Sequence, residues 1–430
     1  MNNRLRPLFI DHLSIPRGKY IPGSKAGDGS SRFARATFAV HYDRDLMLDA
    51  PHTMVREGMP DMELVWNAED VRDGWEQGTS VVLGDLRGGD GAPLPLCPRS
   101  TLKRAVADWQ AHGLTPKLGI ELEAFALQGD ASGRLQPYDS PGGVVYGTGP
   151  FADPMHINDM IWRKAEDLGF KLDLITAEYD SPQFEYTLSF DDAVKAVDDI
   201  VLFRLMAREI ALNHGIVLTF MPKPIPELGG SGMHINFSFT DAQGQNAIAN
   251  GPVGGPDHLN DLSRGCLAGL VHHHKGLAAL VAPTTPSYLR LQPGGLSGYW
   301  RNWGGDHRAV TTRVSGEGGA KARLEHRMAD ASANPYTAAA AVLQAARLGY
   351  EGKYTLPPIE TGDGFDRIDT RESVAPNLRK AVRDMVADTA LTKAVGSELC
   401  AHQAYMKEQE YRKTRDMEPN ALLDFYVWFV

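Results

Sequence analysis

Over the first 97 residues, short apolar stretches (RPLFIDHL, RATFAV, DMELVW, TSVVLGDL) alternate with clusters of Gly, Pro and Asp, which predicts a small strand-rich domain with little helix. At Pro98 the period changes. In RSTLKRAVADWQAHG, Leu102, Val106 and Trp109 share one helical face and Gly113 supplies a stop. The domain boundary is placed there, giving domains of residues 1–97 and 98–430. Helical patterns near 189–214, 257–281, 334–351 and 377–412 then separate short strand-like runs, as in an α+β or α/β catalytic domain. The Gly/Pro-rich segments 137–154, 221–232 and 283–319 are long for simple connections, and loops of that length are usually functional. The last nine residues, LLDFYVWFV, are too apolar for a free terminus and too few to span a bilayer; docking on another subunit is expected.

Composition narrows the class. Of 430 residues, 43% are hydrophobic and 23% charged, and 44 cations against 54 anions give a net charge of -10. No basic tract points to nucleic acid, and no run of about 18 apolar residues points to a membrane. The opening MNNRLRPLFIDHLS has no signal-peptide core, so a cytoplasmic protein is expected. Cys97, Cys266 and Cys400 are odd in number and far apart, and read as buried small hydrophobes.

Several runs place polar groups on one strand face and apolar groups on the other. In KLGIELEAFAL, Glu121 and Glu123 project together, opposite Ile120, Leu122 and Ala124. Two carboxylates close together in an apolar surround must take up protons or meet cations. AEYDSPQFEYTL offers Glu178 in a turn, then Gln183, Glu185 and Thr187 on one face. GGSGMHINFSF aligns His234, Asn236 and Ser238, and KARLEHRMAD aligns Arg323, Glu325 and Arg327. A Gly- and aromatic-rich loop adds Arg290, Arg301, Arg308 and Arg313, a residue type that grips phosphates and carboxylates by forked bonds. Five glutamates and one histidine beside several arginines describe a hard-cation site facing a polyphosphate, with Mg²⁺ or Mn²⁺ favoured over zinc. Neither a P-loop nor a GxGxxG turn is present. The run His272 to Lys275 reads as a solvated helix face, because consecutive helical residues point in different directions.

In order along the chain, E-x-E at Glu121 and Glu123, E-x4-Q-x-E at Glu178, Gln183 and Glu185, GSGMH-x-N-x-S at Gly230 to Ser238, SY-x-RL, HRA-x3-R and KARLEHR followed by ASANPY resemble the blocks of the glutamine synthetase family. The resemblance covers nearly the whole chain. It implies a β-grasp-like N-terminal domain and a catalytic domain with a curved antiparallel sheet surrounded by helices. It assigns one metal to Glu123, Glu178 and Glu185 and a second to Glu121, His234 and Glu325. Asn236, Ser238, Arg308, Arg313, Lys321 and Arg323 would surround ATP, while Gly230, Arg290 and Arg327 would hold glutamate. Arg308, Arg327 and Glu325 would serve catalysis. The implied reaction activates the glutamate γ-carboxylate as an acyl phosphate, which an amine nitrogen then attacks. The implied assembly is a homododecamer of two stacked hexamers with sites between subunits.

Two departures from the family pattern bear on the amine. Ammonia-using members typically carry a flap glutamate six residues after the SYxRL arginine, where this chain has Leu296. Their Asn before GSGMH is replaced by Gly229. Leu296 with Tyr299, Trp300 and Trp303 would make an apolar, aromatic amine entrance suited to an alkylammonium ion. Asp306, Glu317, or Asp49 from a neighbouring N-terminal domain are candidate bases. The expected activity is ligation of glutamate to a small organic amine, as in the γ-glutamylmethylamide and γ-glutamylpolyamine synthetases. Ammonia-using glutamine synthetase and an inactive structural or regulatory paralogue are the alternatives.

Overall fold

The computed structural model describes residues 3–430. Near the N-terminus, strands Arg4–Ile10 and Thr79–Leu83 pair in parallel at the centre of a five-stranded sheet, and a three-stranded sheet joins Gly29–Ala34, Asp61–Trp66 and Asp85–Arg87. Strand alternation divides the side chains between two cores. Leu5, Phe9 and Val82 face a local cluster with Phe38, Leu64, Trp66 and Cys97. Leu8, Ile10, Val81 and Leu83 face the large core of the rest of the chain. Cys97 closes the local cluster and accepts the Ser100 amide as N-cap of helix Pro98–Gln110.

The remainder is built on a ten-stranded sheet around the long strand Thr115–Gly129. Its burial alternates: Pro116, Leu118, Ile120, Leu122 and Ala124 are buried, while Lys117, Gly119, Glu121 and Glu123 lie on the partly open face. Strands Gln183–Leu188 and Met233–Thr240 flank it antiparallel, and Leu324–His326 pairs outside the latter. Helices cover the apolar face. Asp261–His272 and Pro335–Glu351 come unusually close because Gly269 and Gly349 meet there, and a Cβ on Gly269 would lie 2.1 Å from the Ala345 carbonyl. Pro335–Glu351 starts where sequence chemistry predicts, with Asn334 accepting the Tyr336 and Thr337 amides and Pro335 in its first turn.

Two long helical patterns break. Residues 377–412 form Leu378–Ala387, Thr389–Val395 and Ser397–Thr414, because Asp388 caps the second helix through the Leu391 amide and Gly396 adopts φ +136. The pattern over 257–281 divides at His273, whose Nδ1 lies 2.7 Å from Asp388 Oδ2. This overturns the solvated reading for His273 and His274, while His272 and Lys275 stay exposed. His273 and His274 are each only 1% exposed, since the break turns both inward. Burial beside His326 pushes the His274 imidazole down to about 3, so it stays neutral.

Much of the apolar tail is covered by its own chain, while Trp428 stays 55% exposed. Helix Pro419–Tyr426 and the residues after it fold onto their own chain, burying Leu422, Tyr426, Val427 and Val430. Thr219 Oγ1 donates to the Val430 carbonyl at 3.0 Å and Arg208 to the Phe429 carbonyl at 3.0 Å. Beneath it lies a fully buried pair, Lys407 Nζ to Glu410 Oε2 at 2.7 Å, with Tyr426 donating to the other carboxylate oxygen at 2.6 Å. Lys407→Met leaves Glu410 without its cation and is expected to destabilise the protein by about 3–5 kcal/mol. The readout is the urea midpoint, with Lys407→Met/Glu410→Gln recovering most of the loss.

Candidate metal and nucleotide site

Sheet register brings the acids together. Glu123 sits directly across from Glu185, Glu121 from His234, and Glu325 from Asn236 on one side and Arg313 on the other. Each pair shares a face, so three strand crossings place five of the six predicted ligands on one surface. Glu178 joins them from the turn before Gln183–Leu188, its amide donating to the Gln183 carbonyl at 2.9 Å. Two groups of three result, Glu121 with His234 and Glu325, and Glu123 with Glu178 and Glu185. In each, one donor atom per residue lies within 4.8 Å of the others.

His234 links the two groups. Its Nδ1 lies 2.9 Å from Glu121 Oε2 and 3.6 Å from Glu325 Oε1, and its Nε2 lies 3.7 Å from Glu123 Oε1. Asn236 donates to the other Glu121 oxygen at 2.9 Å, and the Gly232 amide donates to Glu123 at 2.7 Å. Gln183 reaches the Gly230 carbonyl at 3.1 Å.

The acids split electrostatically. Burial opposes ionisation of Glu121, but the His234 and Asn236 bonds win and hold its carboxyl down to about 2. Burial, then Glu121, Glu123 and Glu178, push Glu185 up to about 8. Burial and Glu123 raise Glu178 as well. Carboxylates that resist ionisation beside others already charged are short of a cation, and an oxygen-rich set with one imidazole fits a hard divalent ion.

Glu325, 2% exposed, is gripped from both sides, with Arg313 Nε and Arg327 Nη1 each 2.6 Å away. Arg327 Nη2 also donates to the Leu296 carbonyl at 3.2 Å. Arg290 is buried and gives its guanidinium to the Met328 and Arg327 carbonyls at 2.9 and 3.3 Å. Its side chain packs against the turn before His234. A Cβ on Gly230 would lie 2.6 Å from Arg290 Cγ, and one on Gly232 would lie 2.7 Å from Arg290 Nη2. Gly229 is crowded too, since a Cβ there would meet Asp180 at 2.8 Å.

Asn236, Ser238, Lys321 and Arg323 line one cavity of about 290 Å³ that opens onto Glu121. The same cavity contains Lys117, Asp173, Gly119 and Phe190, which sequence reading passed over. Phe190 is 63% exposed and follows the end of its strand, where a lone aromatic gives no periodic signal. Arg308 is exposed and makes no hydrogen bond or ion pair among the described residues.

Of the aromatic residues expected at the amine entrance, Trp303 is turned away from it. Trp303 is 6% exposed and donates its indole N–H to the Pro357 carbonyl at 2.8 Å, so it packs in the core rather than at an open entrance. Tyr299 and Trp300 stay near the surface, their rings edge to face at 4.8 Å. Asp49 is exposed, pairs with Arg56 at 2.6 Å and makes no bond to the Leu296 loop among the described residues. Glu317 is committed to Arg323 and Lys321, and Asp306 lies 3.9 Å from Arg313.

Residues 95–425 match the family model described as the glutamine synthetase catalytic domain. A glutamine synthetase of Halobacterium salinarum is 30% identical over 95% of this chain and 89% of its own length. A glutamate–isopropylamine ligase of a Pseudomonas species is 27% identical over 97% of this chain and 93% of its own. The solved structure described as apo GmaS without ligand superposes with a TM-score of 0.81 at 28% identity, covering 97% of this chain and 94% of that one. With the family model spanning most of the sequence and the sheet carrying the two acid groups, the chain belongs to the glutamine synthetase family.

Proposed function

We propose that this enzyme joins the γ-carboxyl of L-glutamate to a small organic amine at the expense of ATP, through a γ-glutamyl phosphate. The observation that carries the choice of amine is Leu296. Its carbonyl is tied to Arg327, one bond from Glu325, while its side chain is 43% exposed. An apolar group thus stands where ammonia-using relatives would present a carboxylate. Bare ammonium gains nothing from it, whereas an alkyl substituent gains roughly 25 cal/mol for each Å² of apolar surface it hides.

In this reading the glutamate γ-carboxylate attacks the γ-phosphorus, ADP leaves, and the amine nitrogen then displaces phosphate from the activated carbonyl and gives up a proton. Mg²⁺ or Mn²⁺ held by the two acid groups would neutralise phosphate charge. Arg313 and Arg327, on either side of Glu325, would meet the negative charge that builds on the transferring phosphoryl group, and exposed Arg308 would swing towards it. Arg290 and the backbone at Gly230 would orient glutamate, while Asn236, Ser238, Lys321 and Arg323 hold the nucleotide. Asp49 of an adjacent subunit stays part of the proposed amine site, within a homododecamer testable by native mass.

The test is a panel of nitrogen donors with glutamate, ATP and Mg²⁺ or Mn²⁺, following phosphate release. An alkylamine should exceed ammonia in kcat/KM. If ammonia leads, the enzyme is a glutamine synthetase; if no donor releases phosphate, it is an inactive paralogue. Leu296→Glu should raise the ratio of ammonia to alkylamine kcat/KM by about 10–100-fold, the scale of 1.4–2.7 kcal/mol. An unmoved ratio would remove Leu296 from the selector role.

A further inference from the structure

Outside the acid site, the most heavily bonded buried carboxylate is Glu360, 5% exposed and remote from every candidate ligand in sequence. Its Oε1 accepts the Gly362 and Asp369 amides at 2.8 and 2.9 Å, and its Oε2 accepts the Thr370 amide and Asn302 Nδ2, each at 3.2 Å. Its own amide donates to the Trp303 carbonyl at 2.9 Å. One side chain thus draws both ends of the 360–370 loop together and fastens them to the flap that carries Leu296. Burial opposes its charge, but these donors prevail and hold its carboxyl below the usual range.

The attachment continues along the flap. The Arg301 amide donates to the Glu372 carbonyl at 2.8 Å and the Val374 amide to the Tyr299 carbonyl at 2.9 Å. Trp300 and Ser373 form a bridge, Arg301 Nε lies 3.0 Å from Glu372, and His307 Nε2 lies 2.9 Å from the Gly362 carbonyl. At the tip, the Phe365 carbonyl stands 3.9 Å from where Gly294 would carry a Cβ, two residues before Leu296. The Phe365 side chain is 68% exposed and so open to a ligand.

We propose that residues 360–373 form the outer wall of the nitrogen-donor entrance, with Glu360 as a positioning residue that fixes the flap and Phe365 as the side chain that meets the donor's substituent. The Phe365 role rests on the alkylamine reading; the Glu360 role does not. Three backbone amides and one side-chain amide on a single carboxylate make the loop and the flap one body, so the height of Leu296 over Glu325 depends on a residue that touches no substrate.

Glu360→Ala in the full-length enzyme should raise KM for the preferred nitrogen donor by about tenfold or more, the scale of a displacement near 1 Å, while KM for ATP stays within about twofold. Glu360→Gln, which keeps one acceptor oxygen for the loop amides, should recover part of that loss. Hydrogen exchange should quicken over residues 294–307 and 360–374 and stay unchanged at 115–129. A purely structural role would lower the thermal midpoint and the active fraction without separating the two KM values, and that result would overturn the positioning role. Phe365→Ala, at an exposed site that does not threaten folding, should lower the butylamine-to-methylamine ratio of kcat/KM by about fivefold, as expected for lost contact with a few methylenes; an unchanged ratio would overturn the role of Phe365. If unaltered enzyme prefers ammonia, the alkylamine reading fails on its own, while the split between donor and ATP KM still decides the role of Glu360.

Discussion

Glu325→Gln is expected to lower kcat/KM by about 10³-fold while leaving the fold standing, because a charged ligand and the clamp between two arginines disappear in one isosteric change. Among the described residues, Glu325 is the only carboxylate bonded to Arg313 Nε and Arg327 Nη1, both at 2.6 Å, and it lies 3.6 Å from His234. Glutamine there keeps one acceptor oxygen and turns the amide's two N–H donors towards a guanidinium or the imidazole. The remaining ligands of that group, Glu121 and His234, then hold a cation with one negative charge instead of two. Arg327 loses the partner that aims its second nitrogen at the Leu296 carbonyl. The checks are steady-state phosphate release and a Mn²⁺ titration, with Asp416→Asn as control, since Asp416 is exposed and pairs with its neighbour Arg415. A loss below about tenfold would mean that Glu325 lies outside the reacting centre.

The second large effect couples cations, protons and stability. Glu185 is pushed up to about 8, so without metal it contributes most when protonated; that contribution is complete below its ordinary range and is lost as pH climbs through 8. Glu121 has the opposite sign. Held at about 2, it contributes above its ordinary range and loses that contribution only as pH falls towards 2. Between pH 6 and 9 only Glu185 of these two changes, so the thermal midpoint in EDTA should fall across that window. A divalent cation binds the ionised form, so its addition should release protons near pH 7 and raise stability by about 4 kcal/mol at a thousandfold excess over Kd. Calorimetry in two buffers of different ionisation enthalpy would count the protons. Glu185→Gln should remove most of the pH slope; a slope that survives it assigns the effect elsewhere.

Much of the site was legible because strand alternation is a local code. Glu121 with Glu123, and His234 with Asn236, could be placed on common faces from spacing alone, and each lies on the face so read. Strand pairing is not local. No periodicity states that Glu123 lies across from Glu185 or that Arg313 lies across from Glu325, and only resemblance grouped those residues. Loops hid the rest. Trp303 reads as an entrance aromatic in a Gly-rich segment, yet its indole finds Pro357, 54 positions away. Glu360 sits in a stretch without pattern, and its importance comes from amides on either side of a turn. The tail meets the same limit, since hydrophobicity demands cover but does not say which surface supplies it.

The spacing of the ligands along the chain has a consequence for biosynthesis. Glu123, Glu178 and Glu185 fall within 63 residues, whereas Glu121 and Glu325 are 204 positions apart. During translation the first trio emerges from the ribosome long before Glu325 exists, and contacts spanning so great a distance close late. A nascent chain halted after residue 240 would therefore hold four of the five acids and His234, with Glu325, Arg313 and Arg327 not yet made. Cellular divalent ions arriving at that moment would act as a folding partner before they act as a cofactor.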